Sequence, residues 1–366
     1  MAAVDHHCHP LLKAGAPRTA SDLRRAFTEA TDEAMIEAHT QHLVAYRIAL
    51  RRIAAALGCE ADEEAVVAAR QKVESDHLMQ QTRTGLLILD HGYAGGAAMS
   101  PEEHAAAIRI PQRDVVRLET IAEGFLGASD NVTSWLAAVT NEVEARVRGG
   151  AVGVKTIAAY RAGLRLDAPD PSHVASDFGR LHAQAAAGRP VRLEGAPLCH
   201  SLLLEAAAAC ASLGVPLQVH CGFGDPDEDL ALVSPLGLRR LFTEPRFAGL
   251  KVALLHCYPY HREAAYLASV FPGVYMDLSL AIPMAAHDGA RALGEALGLC
   301  PISKLLYATD ATRYAEVYLV AASLHREALA GALGELVDGL WLTREEAVEA
   351  GRDVLARNAR RLYRLD

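Results

Sequence analysis

The sequence predicts a (β/α)8 TIM barrel, an α/β fold of eight parallel strands each followed by a helix. Three observations carry that prediction. Eight short apolar runs begin near residues 3, 86, 115, 152, 216, 251, 274 and 304; helix-forming stretches separate nearly all of them; and polar residues, histidines above all, stand where the runs end. Strands alternating with helices over this length imply parallel pairing through crossover helices. Eight such units fit a closed barrel better than an open doubly wound sheet. Neither Gly-x-Gly-x-x-Gly nor a P-loop follows a strand, which removes the main nucleotide-binding alternatives. No repeat, low-complexity segment or Pro-rich linker divides the 366 residues, so one domain, 1–366, is expected.

The first strand is the N-terminal stretch Val4-Asp5-His6-His7-Cys8-His9-Pro10. A strand has a period of two, so His7 and His9 are expected on one face, with His6 and Cys8 turned outward. A helical insertion follows, about 15–83, with helices over 21–30, 32–57 and 62–81 rich in Ala, Glu, Arg and Leu. Gly58 is placed to stop the second, and Asp62, Glu63 and Glu64 favour the positive N-terminus of the third. Gly85 to Tyr93 is a short apolar run ending in polar residues and glycine, as expected for a buried parallel strand. Ser100-Pro101-Glu102-Glu103 is a helix start with Ser at the N-cap and Glu three residues on. Strands are then expected over 114–123, 152–158, 215–220, 251–256, 274–278 and 304–309. Helices are expected over 129–148, 176–187, 200–213, 236–242, 262–271 and 314–333, and from the capping box Thr343-Arg344-Glu345-Glu346 towards Leu365.

Bulk properties narrow the function. Hydrophobic residues make up 51% and charged ones 22%, enough for a sizeable core. The net charge of −9, spread without long blocks, argues against nucleic acid or an anionic membrane as partner. No apolar run approaches the roughly 20 residues of a membrane span, and the N-terminus lacks signal-peptide character. Seven cysteines without a Cys-x-x-Cys pair read as reduced thiols of a cytoplasmic protein.

In a barrel the chemistry sits where strands end. The residues there are His7 and His9 on the first strand, Lys155 on the fourth, His220 on the fifth, His256 on the sixth and Asp310 on the eighth. A lone histidine after a strand is usually a hydrogen-bonding end-cap. Four of them plus an aspartate at one end of one barrel are costly to bury unless paired or bound to a metal. Nitrogen and oxygen ligands with one position left for water describe a catalytic zinc-type site, and manganese or iron would also fit. Cys8, Cys221 and Cys257 adjoin these histidines, but strand alternation turns them outward as small buried hydrophobes.

Asp5-x-His7-x-His9, the two later histidines and the strand-8 aspartate resemble the amidohydrolase superfamily of metal-dependent barrel enzymes, in the right order along the whole chain. The ending Asn358-Ala359-Arg360-Arg361-Leu362-Tyr363 is similar to the last helix of its second large family, which also contains decarboxylases. More narrowly, four segments (154–164, 222–225, 262–268 and 308–310) resemble the amidohydrolase-like domain that plants and fungi fuse to a glutamine-synthetase-like domain. The resemblance implies a hydrolase for a small amide, plausibly a γ-glutamyl amide, with a functional link to a glutamine-synthetase-like enzyme, and a homo-dimer.

On that resemblance His7, His9, His220 and Asp310 would hold one or two divalent ions, most simply zinc. Asp310 would move the proton of a metal-activated water, and His256 would stabilise the oxyanion or bind a second ion. Lys155 stays open between a bridging carbamate, a contact to a substrate carboxylate and a surface lysine. Tyr160, Arg161 and Arg313 follow strand ends and are candidates for a substrate carboxylate; Asp225, in an acidic loop, is one for an ammonium. Glu119 and Asp277 are weaker candidates. Two other functions compete: a non-oxidative metal-dependent decarboxylase, and a non-catalytic partner of a glutamine-synthetase-like protein.

Overall fold

The structure is a computed structural model that describes residues 1–93 and 95–365. Among the described residues seven strands form one parallel sheet in sequence order. They are β1 (Ala3–Cys8), β2 (Thr84–Asp90), β3 (Gln112–Arg117), β4 (Gly153–Thr156), β5 (Leu217–Cys221), β6 (Val252–His256) and β7 (Val274–Met276). Sequential order with a helical connection after each strand gives the curled, TIM-barrel-like arrangement.

The expected eighth strand, 304–309, is extended but not a regular strand. Leu306 N bonds Met276 O at 2.8 Å on one side, while His6 N reaches Tyr307 O at 3.3 Å and Asp310 N reaches His7 O at 3.0 Å on the other. The segment therefore bridges the two edges of the sheet. Its ladder is broken because Thr309 N donates to the Asp5 carboxylate at 2.9 Å instead of to a backbone carbonyl.

A second departure concerns β1. Asp5 pairs with Leu87 and Cys8 with Leu89, so β1 spends one more residue than β2 over this stretch. Such a bulge places two consecutive residues opposite one. His6 as well as His7 consequently turns inward, which corrects the outward placement of His6; Cys8 does point outward, into the helix layer with Cys221 and Cys257. All seven cysteines are free.

Two apolar layers follow from the alternation. Val4, Leu86, Ile88, Val115, Ala253, Leu255 and Leu306 fill the inside, joined by Ala359, Leu362 and Tyr363 of the C-terminal helix. That helix covers the N-terminal ends of the strands: a Cβ on Gly153 would meet Pro216 O at 3.0 Å and the Tyr363 ring at 3.4 Å. The C-terminal stretch is one helix by sequence but resolves into Arg344–Arg352, a π turn over Asp353–Arg357, and Asn358–Tyr363. The π turn re-aims Asn358, whose amide donates to Ile302 O and Leu305 O at 2.7 Å each.

Between β1 and β2 lie five short helices: α1 (Ala20–Arg25), α2 (Glu33–Ala38), α3 (Val44–Leu57), α4 (Glu63–Arg70) and α5 (Ser75–Gln81). Gly58 stops α3 in the left-handed region and the Asp62 side chain caps α4, as its sequence requires. The expected helix over 21–30 stops at Arg25, however, and residues 26–31 leave it for the mouth of the barrel. The block is fixed by a buried Arg70–Glu316 ion pair at 2.8 Å, which joins α4 to the helix Ala315–Asp338.

The expected strand over 114–123 ends at Arg117 and becomes the helix Leu118–Phe125. Helices over Ala281–Ala285 and Gly289–Leu297 have no counterpart in the sequence expectations. The helix Ala196–Leu213 is apolar and long enough to cross a membrane by composition; 56% of it is buried here, and it forms part of the helix layer.

Candidate active site

A cavity of about 300 Å³ opens at the C-terminal ends of the strands, lined by His7, His9, Lys155, His220, His256 and Asp310 among others. The strand-end rule thus brings all six sequence-predicted strand-end residues to one place. Backbone strain gathers here too. His256 (φ 67°) and Asp310 (φ 50°) both occupy the left-handed region, which side-chain-bearing residues enter only when their surroundings hold them there. Asp277 Oδ1 accepts from His256 N at 2.7 Å and His7 O accepts from Asp310 N at 3.0 Å, which supplies that hold.

Asp310 Oδ1 lies 3.1 Å from His7 Nε2 and 3.3 Å from His9 Nε2. His9 Nδ1 is 3.0 Å from the Asp90 carbonyl, an acceptor only, so Nδ1 carries a ring proton and the neutral ring presents a bare lone pair at Nε2. Two acceptors therefore face each other at 3.3 Å. Asp310 Oδ1 and both ring nitrogens of His7 are buried without a hydrogen-bond partner. Donors about 2.0–2.1 Å from a tetrahedral ion stand roughly 3.3 Å apart, so each of the two histidine nitrogens lies at ligand spacing from Asp310 Oδ1. The donor atoms of His7, His256 and Asp310 lie within 4.8 Å of one another, and so do those of His7, His9 and Asp90.

The electrostatics agree. Burial, then the charge of Lys155, pushes the His7 imidazole down to about 3, and burial takes His256 to about 4, so both rings are neutral donors at physiological pH. Burial opposes ionisation of Asp310, yet its carboxyl lies well below the usual range because positive charge or N–H donors at His256, His7 and His9 favour the anion, a role a bound cation would fill. His220 shares the cavity, its ring 4.4 Å from that of His256, yet neither of the two donor groups includes it. Its Nε2 faces Glu228 Oε2 at 2.9 Å. Lys155 is fully buried, with an ammonium lowered to about 8 by burial and by Arg117. A plain surface lysine is thereby excluded.

The predicted substrate-binding residues also line the cavity. Tyr160 and Arg161 sit on the short helix Ala158–Ala162 directly after β4. Arg161 Nε and Nη1 are buried without a partner, and its nearest carboxylate, Glu123, is 3.8 Å from Nη2. Arg313 donates to the Tyr93 hydroxyl at 3.1 Å. Asp225 is half-buried on the opposite loop, its carboxyl raised by burial and by Asp227. The two weaker candidates lie outside the cavity lining. Glu119 accepts from Thr156 Oγ1 at 2.6 Å and Ile157 N at 2.9 Å, tying β4 to the preceding helix. Asp277 supports His256 from below.

Several contributors escaped the sequence. Asp90 ends β2 and pairs with Arg117 beside the cavity; the strand-end rule could have found it. Glu29, from the 26–31 segment, lines the cavity with a carboxyl raised to about 7 by burial and by Asp310 and Asp225. No local signal marks it, because it belongs to a helical stretch far from any strand end. Glu228, in the acidic loop after β5, has a side chain only 2% exposed and is pushed up to about 8, chiefly by burial.

Known proteins are similar to this chain in sequence and fold. The family model described as Amidohydrolase matches residues 4–365. A curated relative, protein fluG of Emericella nidulans, is 32% identical over 280 residues; the match covers 74% of this chain but only 31% of that protein's length. Among solved structures, an inferred metal-dependent hydrolase of Lactobacillus casei superposes with a TM-score of 0.88 at 32% identity, covering 99% of this chain and 95% of the other. Uronate isomerase of Thermotoga maritima (TM-score 0.66, 14% identity, 99% and 94% coverage) shares the fold.

Proposed function

The chain belongs to the amidohydrolase family and is a metal-dependent hydrolase; from that premise we propose that it cleaves the C–N bond of a small amide bearing both a carboxylate and an ammonium group, a γ-glutamyl amide. The observation that carries the catalytic half is the convergence of the His7 and His9 Nε2 atoms on Asp310 Oδ1, which in the case of His9 leaves an acceptor facing an acceptor. His7, His9 and Asp310 would hold one ion, zinc, manganese or iron, with His220 as the further nitrogen in the same cavity. The ion would supply Lewis acidity and bring the pKa of a hydrolytic water towards neutrality. Asp310 Oδ2 would be placed to accept a proton from the attacking water and to return it to the leaving amine. Lys155 remains a free amine in this reading and offsets the carboxylates of Asp310 and Asp90.

The substrate half rests on charge placement. Arg161 has buried donors with nothing to bond, which suits a carboxylate gripped from two sides, with Tyr160 and Arg313 beside it. Asp225 and Glu29 supply the anionic side for the ammonium. A glutamine-synthetase-like partner would make the bond this enzyme breaks. The test is to incubate zinc-loaded protein separately with γ-glutamyl amides and with aromatic carboxylates, assaying glutamate, free amine and carbon dioxide. Glutamate with equimolar amine supports the proposal. Carbon dioxide without amine would assign the site to decarboxylation instead.

A further inference from the structure

A chain of hydrogen bonds runs through the barrel interior from β5, by way of the C-terminal helix, to His256, and each of its protons can be placed. It starts at Gln218, whose Nε2 donates to the His6 carbonyl at 2.8 Å; since a carbonyl only accepts, the amide orientation is fixed. The same Nε2 is 2.8 Å from Tyr363 Oη, which must accept there. The single hydroxyl proton of Tyr363 is then free for His6 Nδ1, 3.0 Å away. With Nδ1 accepting, His6 carries its proton on Nε2 and donates to Asp277 Oδ2 at 2.7 Å.

Asp277 is surrounded by donors. Its Oδ1 accepts from His256 N at 2.7 Å, Ser279 N at 2.8 Å and Ser279 Oγ at 2.7 Å. A carboxylate with donors on both oxygens is held as the anion and has no proton to give. The one Ser279 hydroxyl proton therefore goes to Asp277, and Ser279 Oγ can only accept along its other contact. That contact is His256 Nδ1, at 2.7 Å. The second polar neighbour of Nδ1, Asp310 Oδ2 at 3.6 Å, is an acceptor as well.

We propose that Asp277 and Ser279 are positioning residues that hold His256 as the Nδ1–H tautomer, so that its Nε2 offers the cavity a lone pair and not an N–H. This deepens the reading of the site given above. A neutral His256 held this way cannot donate to a substrate carbonyl as an oxyanion-stabilising group. It accepts: as a ligand to a cation, or as a base for a proton. The bulge that turns His6 inward is part of the device, since His6 supplies the donor to the far oxygen of Asp277. The chain is buried along its length, so bulk water does not exchange the donor pattern. The same principle holds ligating histidines in metal sites, where a partner on one nitrogen fixes the other.

The direct test is ¹⁵N NMR of the zinc-loaded full chain with ring-labelled histidine at neutral pH, the His256 signals being assigned by their loss in His256→Gln. Nδ1 in the protonated range with Nε2 in the unprotonated or metal-shifted range is the expected result. An Nε2–H signal in the wild type would overturn the proposal, whatever the substrate proves to be. Ser279→Ala removes the acceptor and should shift the population towards Nε2–H, lowering kcat about tenfold or more with KM within about twofold. Ser279→Thr keeps the hydroxyl and should restore both the NMR signature and kcat. Equal losses in the two variants, with His256 unchanged in tautomer, would make Ser279 a packing residue only. If γ-glutamyl amides prove not to be substrates, the NMR result still decides the tautomer, so the two claims fail separately.

Discussion

Arg161→Ala is the perturbation that best separates a substrate-binding role from a structural one. The guanidinium is 14% exposed, has two buried donors without partners, and stands 3.8 Å from Glu123, its nearest carboxylate. Hydrogen bonds to a charged group contribute about 1.5–3 kcal/mol each. Two such bonds to a substrate carboxylate, less what water recovers in the vacated space, leave about 3 kcal/mol. That is roughly a hundredfold in KM at about 1.4 kcal/mol per factor of ten. Because Arg161 is not among the groups around Asp310, kcat should stay within about threefold. Stability should move the other way from an ordinary core truncation: deleting a largely desolvated cation without a close partner removes a cost. Glu123 keeps Leu193 N as a partner at 2.7 Å. The assay is steady-state hydrolysis of a γ-glutamyl amide and of its analogue lacking the α-carboxylate, alongside thermal melting. Loss of discrimination between the two, at unchanged or raised Tm, is the expected outcome. Equal losses on both substrates, or a Tm several degrees lower with KM intact, would refute the reasoning.

Other consequences can be checked independently. Arg70→Met leaves the Glu316 carboxylate, fully buried, without its cation and should cost about 3–5 kcal/mol in chemical denaturation, while Arg70→Met with Glu316→Leu should recover part of the loss. The Arg24 guanidinium, hydrogen-bonded to Glu63, holds that carboxyl below its ordinary value. A carboxyl depressed in the folded state stabilises above its unfolded pKa and loses that contribution as pH falls. Glu63→Gln should therefore melt below wild type at neutral pH, and the gap should close as pH falls below the ordinary carboxylate range. Lys155 as a free amine predicts a native intact mass without added carbon dioxide; a carbamate adduct with two bound ions per chain would contradict this.

Most of the barrel was legible in the sequence because buried parallel strands read as short apolar runs whose polar ends mark the active face. What escaped has identifiable causes. The run Asp114 to Glu123 mixes apolar residues with Asp114, Arg117, Glu119, Thr120 and Glu123, and nothing in its composition separates a strand from the turn of helix that begins at Leu118. Inward placement of His6 depends on a bulge, a property of pairing with β2 that β1 alone does not encode. The irregular eighth stave arises because the Asp5 side chain captures Thr309 N, a contact across 304 residues. Of the site, the strand-end residues were legible and the wall contributed by the helical block was not. Glu29 reaches the cavity only because α1 ends early.

The central claim is that His7, His9 and Asp310 converge on one divalent cation. Metal content measured by mass spectrometry on protein dialysed against trace zinc, for wild type and Asp310→Asn, tests it most directly. The account predicts about one ion per wild-type chain and at least a tenfold loss of affinity in the variant, with the fold intact by circular dichroism. A folded wild-type protein that retains no metal, or a variant that binds zinc as tightly as wild type, would contradict it.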